Sequence, residues 1–162
     1  MATQNNEIPI PPPSRRHGVI GLIGWGPDWD APLFRRSFLV IRRSQQVVAP
    51  GKLCFPGGGI EANETAEQAL RREIQEECGV LCTPDYKLTQ TVTPWMVQLE
   101  WWIAHIPQSV HPVAAPAEVA TILSRTAEQL LNDPDTLESN RTILELLRDG
   151  ILDTPSSGLG RH

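Results

Sequence analysis

Lysine is almost missing from these 162 residues: Lys52 and Lys87 are the only two, so the basic content is nearly all arginine. Lys plus Arg total 14 against 19 for Asp plus Glu, a formal charge of −5. That balance supplies no general attraction to nucleic acid or to an anionic membrane. It does not exclude an anionic substrate, because a bound cation or a local arginine cluster can reverse the field at one site. Cysteine is scarce too. Cys54, Cys78 and Cys82 are too few for a secreted disulfide framework, and without nearby histidine they make a poor zinc site. They read as reduced and partly buried. No apolar run reaches the roughly 18 residues that a membrane span needs. Met1 to Pro13 has no apolar stretch after basic residues, so no secretory leader is expected and a cytoplasmic protein is the default.

What is present suffices for one core. Hydrophobic residues make up 40% and charged residues 20%, a balance that supports a folded domain. Residues 1–14 read as a flexible, proline-rich arm, because Pro9, Pro11, Pro12 and Pro13 forbid a helix there. Residues 15–152 read as a single domain and 153–162 as a flexible Gly/Ser tail. Strands are expected over His17 to Ile23, Ser37 to Ile41, Lys87 to Val92, Val97 to Ile106 and Glu118 to Leu123. Helices are expected over Thr65 to Glu77, Thr126 to Leu131 and Ser139 to Leu147. Gly79 serves as a C-cap of the first helix, with Asn63 and Glu64 preceding it. This order fits an α/β (α+β) domain, a mixed sheet with helices on both faces.

One helix carries the chemical signal. At about 100° per residue, with Glu73 at the origin, Glu77 lies near +40° and Glu76 near −60°, among Ala66, Ala69 and Leu70. A surface helix would separate its carboxylates from its apolar residues. Here like charges four apart oppose the helix, burial raises the cost, and the C-terminal dipole does not favour anions. A hard divalent cation such as Mg²⁺ or Mn²⁺ removes that cost, since it prefers oxygen ligands and bridges carboxylates to phosphates. Gly57, Gly58 and Gly59 permit a tight backbone path beside a ligand, and a backbone carbonyl there could complete the coordination. Arg72 could pair with Glu64 or Glu61 and hold the preceding loop to the helix.

The spacing is more specific than the charge count. Gly58, five residues, Glu64, seven residues, Arg72-Glu73-Ile74, one residue, Glu76-Glu77, one residue, Gly79-Val80 resembles the signature of the Nudix (MutT-like) hydrolases. The resemblance implies a Nudix-type α/β/α sandwich and cleavage of a diphosphate linkage in a nucleoside diphosphate joined to another moiety. It implies Mg²⁺, or Mn²⁺, held by Glu73, Glu76 and Glu77 with Gly58, and roles for Glu64 and Arg72 around that set. Family members draw their general base from the signature helix or from a later loop. The choice here stays open among the helix glutamates, Glu118 and Glu100.

Substrate contacts are weakly encoded. Trp25 and Trp29, in a Gly/Pro-rich loop, are candidates to stack on a base. Adjacent Trp101 and Trp102 face opposite sides of one strand and are expected to fill the core. Arg42, with Gly57 and Gly58, is the candidate phosphate contact among Arg35, Arg36, Arg42 and Arg43. Pro94 lies 15 residues beyond Gly79, a position that family members acting on ADP-ribose share, so ADP-ribose-like substrates join the expected set. Partners are then a small-molecule nucleotide and a possible second copy of the chain, without stable nucleic acid or membrane binding. The alternatives are a decapping-type RNA phosphohydrolase and a catalytically silent nucleotide-binding module of the same fold.

Overall fold

Alternation along two strands explains both layers of the molecule. The computed structural model describes residues 16–28 and 30–152. The expected arm, the tail from 153 and the candidate Trp29 lie outside the described residues. Strand β1, His17–Gly24, is mostly buried on both sides. Its Val19 and Ile23 join a core with Leu39 and Ile41 of β2, Ser37–Arg43, beneath helix α1, Ala66–Cys78. Leu22, Phe38 and Val40 point the other way. They pack with helices α2, Ala127–Leu131, and α3, Glu138–Arg148. Successive side chains of a strand face opposite sides, so each strand feeds two cores.

The remaining strands are β3, Leu53–Cys54, β4, Gly57–Gly59, β5, Thr83–Val92, β6, Gln98–His105, and β7, Val119–Thr126. The main order is β3-β2-β1-β6-β5, with β4 on β1 and β7 on β2. β1 and β6 run parallel, while the other pairs are antiparallel, so the sheet is mixed. β1 and β2 pair only at Ile23↔Leu39 and Gly24↔Phe38 and diverge beyond that point. The segment from Leu53 to Gly59 fills the split, with β3 on β2 and β4 on β1. Gly21 N–H donates to the Pro56 carbonyl at 2.9 Å in the middle of it. This wedge brings the three glycines under α1. Gly57 is required there by close approach, because a Cβ at this position would collide with the Val19 carbonyl.

Several local features differ from expectation. α1 begins at Ala66, one residue later than expected, because Thr65 is its N-cap, in a capping box with Gln68. Asn63 takes a left-handed turn with φ 65°. The glycine run forms a strand, because Gly58 and Gly59 find register partners in Val19 and Gly18. β5 starts at Thr83 instead of Lys87, two bulges letting Pro84 and Asp85 stay in the edge. Gly79 is the left-handed C-cap with φ 66°. Trp101 is buried on the α2/α3 side, whereas Trp102 packs on the α1 side. All three cysteines are free thiols and buried. No helix among the described residues is long and apolar enough to cross a membrane.

Candidate active site

Glu73 and Glu77 are one helical turn apart on the α1 face that meets the glycine strand. Glu77 is only 4% exposed. The Gly57 N–H donates to its Oε1 at 3.3 Å. Glu73 fills the space beside Gly58, where any Cβ would run into its carboxyl group. Burial pushes the Glu77 carboxyl up to about 8, and the neighbouring Glu73 charge adds to this. Glu73 is also raised by burial, against the pull of Arg72. Two carboxyls one turn apart and sheltered from water cannot both ionise cheaply.

Arg72 organises the other carboxylates. Its Nε donates to Glu64 Oε2 at 2.8 Å and its Nη2 to Glu64 Oε1 at 2.9 Å. The same Nη2 reaches the Gly59 carbonyl at 2.8 Å. Nη1 donates to Glu73 at 2.9 Å and more distantly to Glu76 at 3.4 Å. Glu61 is at 3.9 Å from Nη1. Arg72 and a backbone hydrogen bond in the turn hold the Glu64 carboxyl down at about 2. This planar fork ties loop, helix and strand together, as a lysine could not.

Glu76 is the exposed member, with its side chain 58% accessible. Among the described residues, no three His, Cys, Asp or Glu side chains already converge into a metal cage. The chemistry of the donor set fits a hard divalent cation all the same. The site offers carboxylate oxygens and a neighbouring glycine backbone, with no thiolate or imidazole needed. Burial raises both Glu73 and Glu77, the mark of crowded negative charge that a cation would neutralise.

The later-loop carboxylate also arrives here. The segment between β6 and β7 is tied to the end of α1, Val113 N–H donating to the Cys78 carbonyl at 2.8 Å and Ala115 N–H to the Glu77 carbonyl at 3.1 Å. It ends at exposed Glu118, whose charge helps raise Glu77. Ser44 fixes this turn, its Oγ donating to the Ala117 carbonyl at 2.7 Å and its N–H to the Glu118 carbonyl at 2.9 Å. Glu100, by contrast, is paired with Lys87 at 3.1 Å.

Two of the expected substrate contacts lie away from the carboxylates. Arg42 lies on the α2/α3 side of β2, donating to the Gly51 carbonyl at 2.8 Å and to Asp135 at 3.1 Å. Its neighbour Arg43 is the arginine on the carboxylate side. It reaches Cys54 Sγ at 3.8 Å, and that thiol feels the charges of both Arg43 and Glu77. Counting alternation from Leu39 and Ile41 would have selected Arg43. Trp25 follows the last residue of β1 and lines a shallow groove with Ser37, Gln108 and Ser124. Gly57 sits opposite Ile20, five residues earlier and thus about 17 Å back along the strand. Buried Asn140, which the sequence did not single out, accepts the Phe55 N–H at 2.8 Å and anchors the wedge to α3.

Comparison with known proteins bears on the family and the fold. A family model described as the NUDIX domain matches residues 25–145. The nucleoside triphosphatase NudI of Escherichia fergusonii is 48% identical over 48 residues, covering 30% of each chain. The match thus spans about a third of the curated relatives' length. Among solved structures, a MutT protein from Methanosarcina mazei superposes with a TM-score of 0.67 at 18% identity, covering 84% of this chain and 94% of that one. A MutT NUDIX hydrolase from Burkholderia pseudomallei gives 0.58 at 20% identity, covering 80% and 95%. At such identities the likeness is one of fold.

Proposed function

This chain belongs to the NUDIX domain family, and from that premise we propose that it hydrolyses a diphosphate linkage in a nucleoside diphosphate joined to another moiety. The observation that carries the reading is buried Glu77, held by the Gly57 N–H, with Glu73 one helical turn away against Gly58. Glu73, Glu76 and Glu77, with the Gly58 carbonyl, would hold Mg²⁺ or Mn²⁺. When bound, that ion supplies charge neutralisation of the diphosphate and acidifies water.

The chain's own residues do the rest. Arg72 keeps Glu64 and Glu73 ionised and oriented, so the acidic face is preformed when substrate arrives. Arg43 would meet a non-bridging phosphate oxygen, and Gly57 and Gly58 would let the substrate approach the backbone. Water attacks phosphorus and passes a proton to Glu118, the P–O bond of the leaving phosphate breaks, and two phosphorylated fragments depart. Glu118 suits this role because it is exposed beside Glu77 and is held through its backbone rather than its carboxylate.

The curated relatives are named nucleoside triphosphatases, so nucleoside triphosphates stand first in a substrate panel, followed by ADP-ribose, dinucleotides, sugar nucleotides and capped RNA. The test is turnover with Mg²⁺, with product masses recorded in ¹⁸O-labelled water. Cleavage of one class, lost with EDTA and in Glu76→Gln, supports the reading. Folded protein that cleaves none of them with either Mg²⁺ or Mn²⁺ contradicts it. Glu118→Gln should lose turnover and the acidic limb of its pH profile while keeping KM; an unchanged profile would return the base to the helix.

A further inference from the structure

A sizeable cavity among the described residues lies away from the carboxylates. It measures about 770 Å³, within the size range of sites that enclose a drug-sized ligand. It opens at the carboxyl ends of the parallel strands β1 and β6, around Gly24 and His105. Gly58 lies opposite Val19, five residues from Gly24, which is about 17 Å along the strand. The wall residues Tyr86 and Ile103 belong to the α2/α3 side of the sheet, away from α1.

The lining has a defined chemistry. Gly24 and Gly26 present bare backbone, while Tyr86 and Ile103 present flat apolar surface. Together they suit a planar ring. Four side chains supply polarity. His105 Nδ1 donates to Asp85 at 2.9 Å, which leaves Nε2 for another partner. Arg36 donates through Nε and Nη2 to the Ala31 carbonyl at 3.2 and 3.0 Å. No carboxylate pairs with it among the described residues, and Nη1 is uncommitted. Asp30 likewise has no ion-pair partner among the described residues, although Arg36 lines the same cavity. The site therefore offers unspent donors and acceptors around an apolar slot. Two carboxylates, Asp30 and Asp85, weigh against a ligand that carries phosphates.

We propose that this cavity is a second small-molecule site, which takes the uncharged, heteroaromatic base of an unphosphorylated nucleoside. Arg36 and His105 would meet ring acceptors, and Asp30 an exocyclic amine or ring N–H. The proposal does not depend on the hydrolytic reading, since none of the α1 carboxylates takes part.

The test is a titration of the full chain, in EDTA, with adenosine, guanosine, cytidine and uridine separately, followed by amide NMR, with AMP as the phosphorylated control. Saturable shifts at Gly24, Gly26 and His105 are expected for at least one nucleoside, with weaker binding of AMP. A Cβ on Gly24 would make ordinary contacts, 3.6 Å to the Ala104 carbonyl and 3.9 Å to both Arg36 Cδ and His105 Cβ, so Gly24→Val is the variant chosen to fill the slot, with its fold checked by circular dichroism. Gly24→Val and Arg36→Gln should each weaken binding about tenfold or more, and Glu76→Gln should leave it unchanged. If Gly24→Val does not fold, Arg36→Gln and Asp30→Asn decide. Absence of shifts with all four nucleosides overturns the proposal. So do shifts that centre on Gly57, Gly58 and Glu73 and persist in Arg36→Gln.

Discussion

Arg72 grips Glu64 through two parallel hydrogen bonds of 2.8 and 2.9 Å, while its remaining amino group holds Glu73 at 2.9 Å. One guanidinium thus fixes a loop carboxylate and a helix carboxylate together. Arg72→Lys keeps the charge and loses the fork. Turnover should fall about 10–100-fold, as for a residue that orients metal ligands, with the folded far-UV spectrum retained. Steady-state kinetics beside circular dichroism will check this. Turnover within twofold of the parent would show that charge alone suffices.

The same pair sets an acid dependence. Glu64 sits at about 2 in the folded chain, below its usual 4.5. Its contribution to stability is therefore complete above about pH 4.5 and fades as pH falls toward 2. Acid unfolding curves of Arg72→Gln should lose this part of the slope.

Glu77 acts in the opposite sense. Its folded value near 8 exceeds the ordinary 4.5, so between these limits the folded chain holds a proton that the unfolded chain has released. In EDTA, stability from this group should be complete below about pH 4.5 and lost as pH rises through 8. Denaturant melts at pH 5 and pH 8 should show the decline, and Glu77→Gln should flatten it. Divalent metal should bind more tightly toward pH 8 and release a proton, which calorimetry in buffers of different ionisation enthalpy will detect.

Glu76→Gln isolates charge from fold. The side chain is exposed and only distantly held by Arg72, so its loss should leave the melting temperature within a few degrees while turnover drops about a hundredfold or more. Parental turnover would remove Glu76 from the proposed ligand set.

The three glycines should respond differently to one added methyl. Gly59→Ala meets nothing within 4 Å and should be near neutral. Gly58→Ala collides with the Glu73 carboxyl and should cost activity more than stability. Gly57→Ala meets the Val19 carbonyl, a backbone atom that cannot move aside, and should destabilise the fold by about 1–3 kcal/mol. Alanine at all three, compared by melting and by turnover, separates these outcomes.

Residues 65–79 were legible in advance because everything that shapes them is local. Helical periodicity puts Glu73, Glu76 and Glu77 near Ala69 and Leu70, the glycine C-cap is a backbone effect, and the Arg72 to Glu64 bond joins residues eight apart. The two-faced placement of Trp101 and Trp102 followed from strand alternation in the same way. Arg42 was not legible as an Asp135 partner, because that contact joins residues 93 apart. Nor was the nearness of Glu118 to Glu77, which depends on a loop pinned to the end of α1.

By itself, then, the sequence determined the carboxylate helix, its cap, the family signature and the mixed class of the fold, since short-range geometry and spacing settle these. Tertiary structure alone decided that Glu77 is buried against Gly57, that the loop before β7 brings Glu118 to the end of α1, and that a separate cavity opens beside Gly24 and His105. The physical reason is the divergence of β1 from β2. It admits the 53–59 wedge under α1, and such long-range packing leaves no periodic trace in the chain.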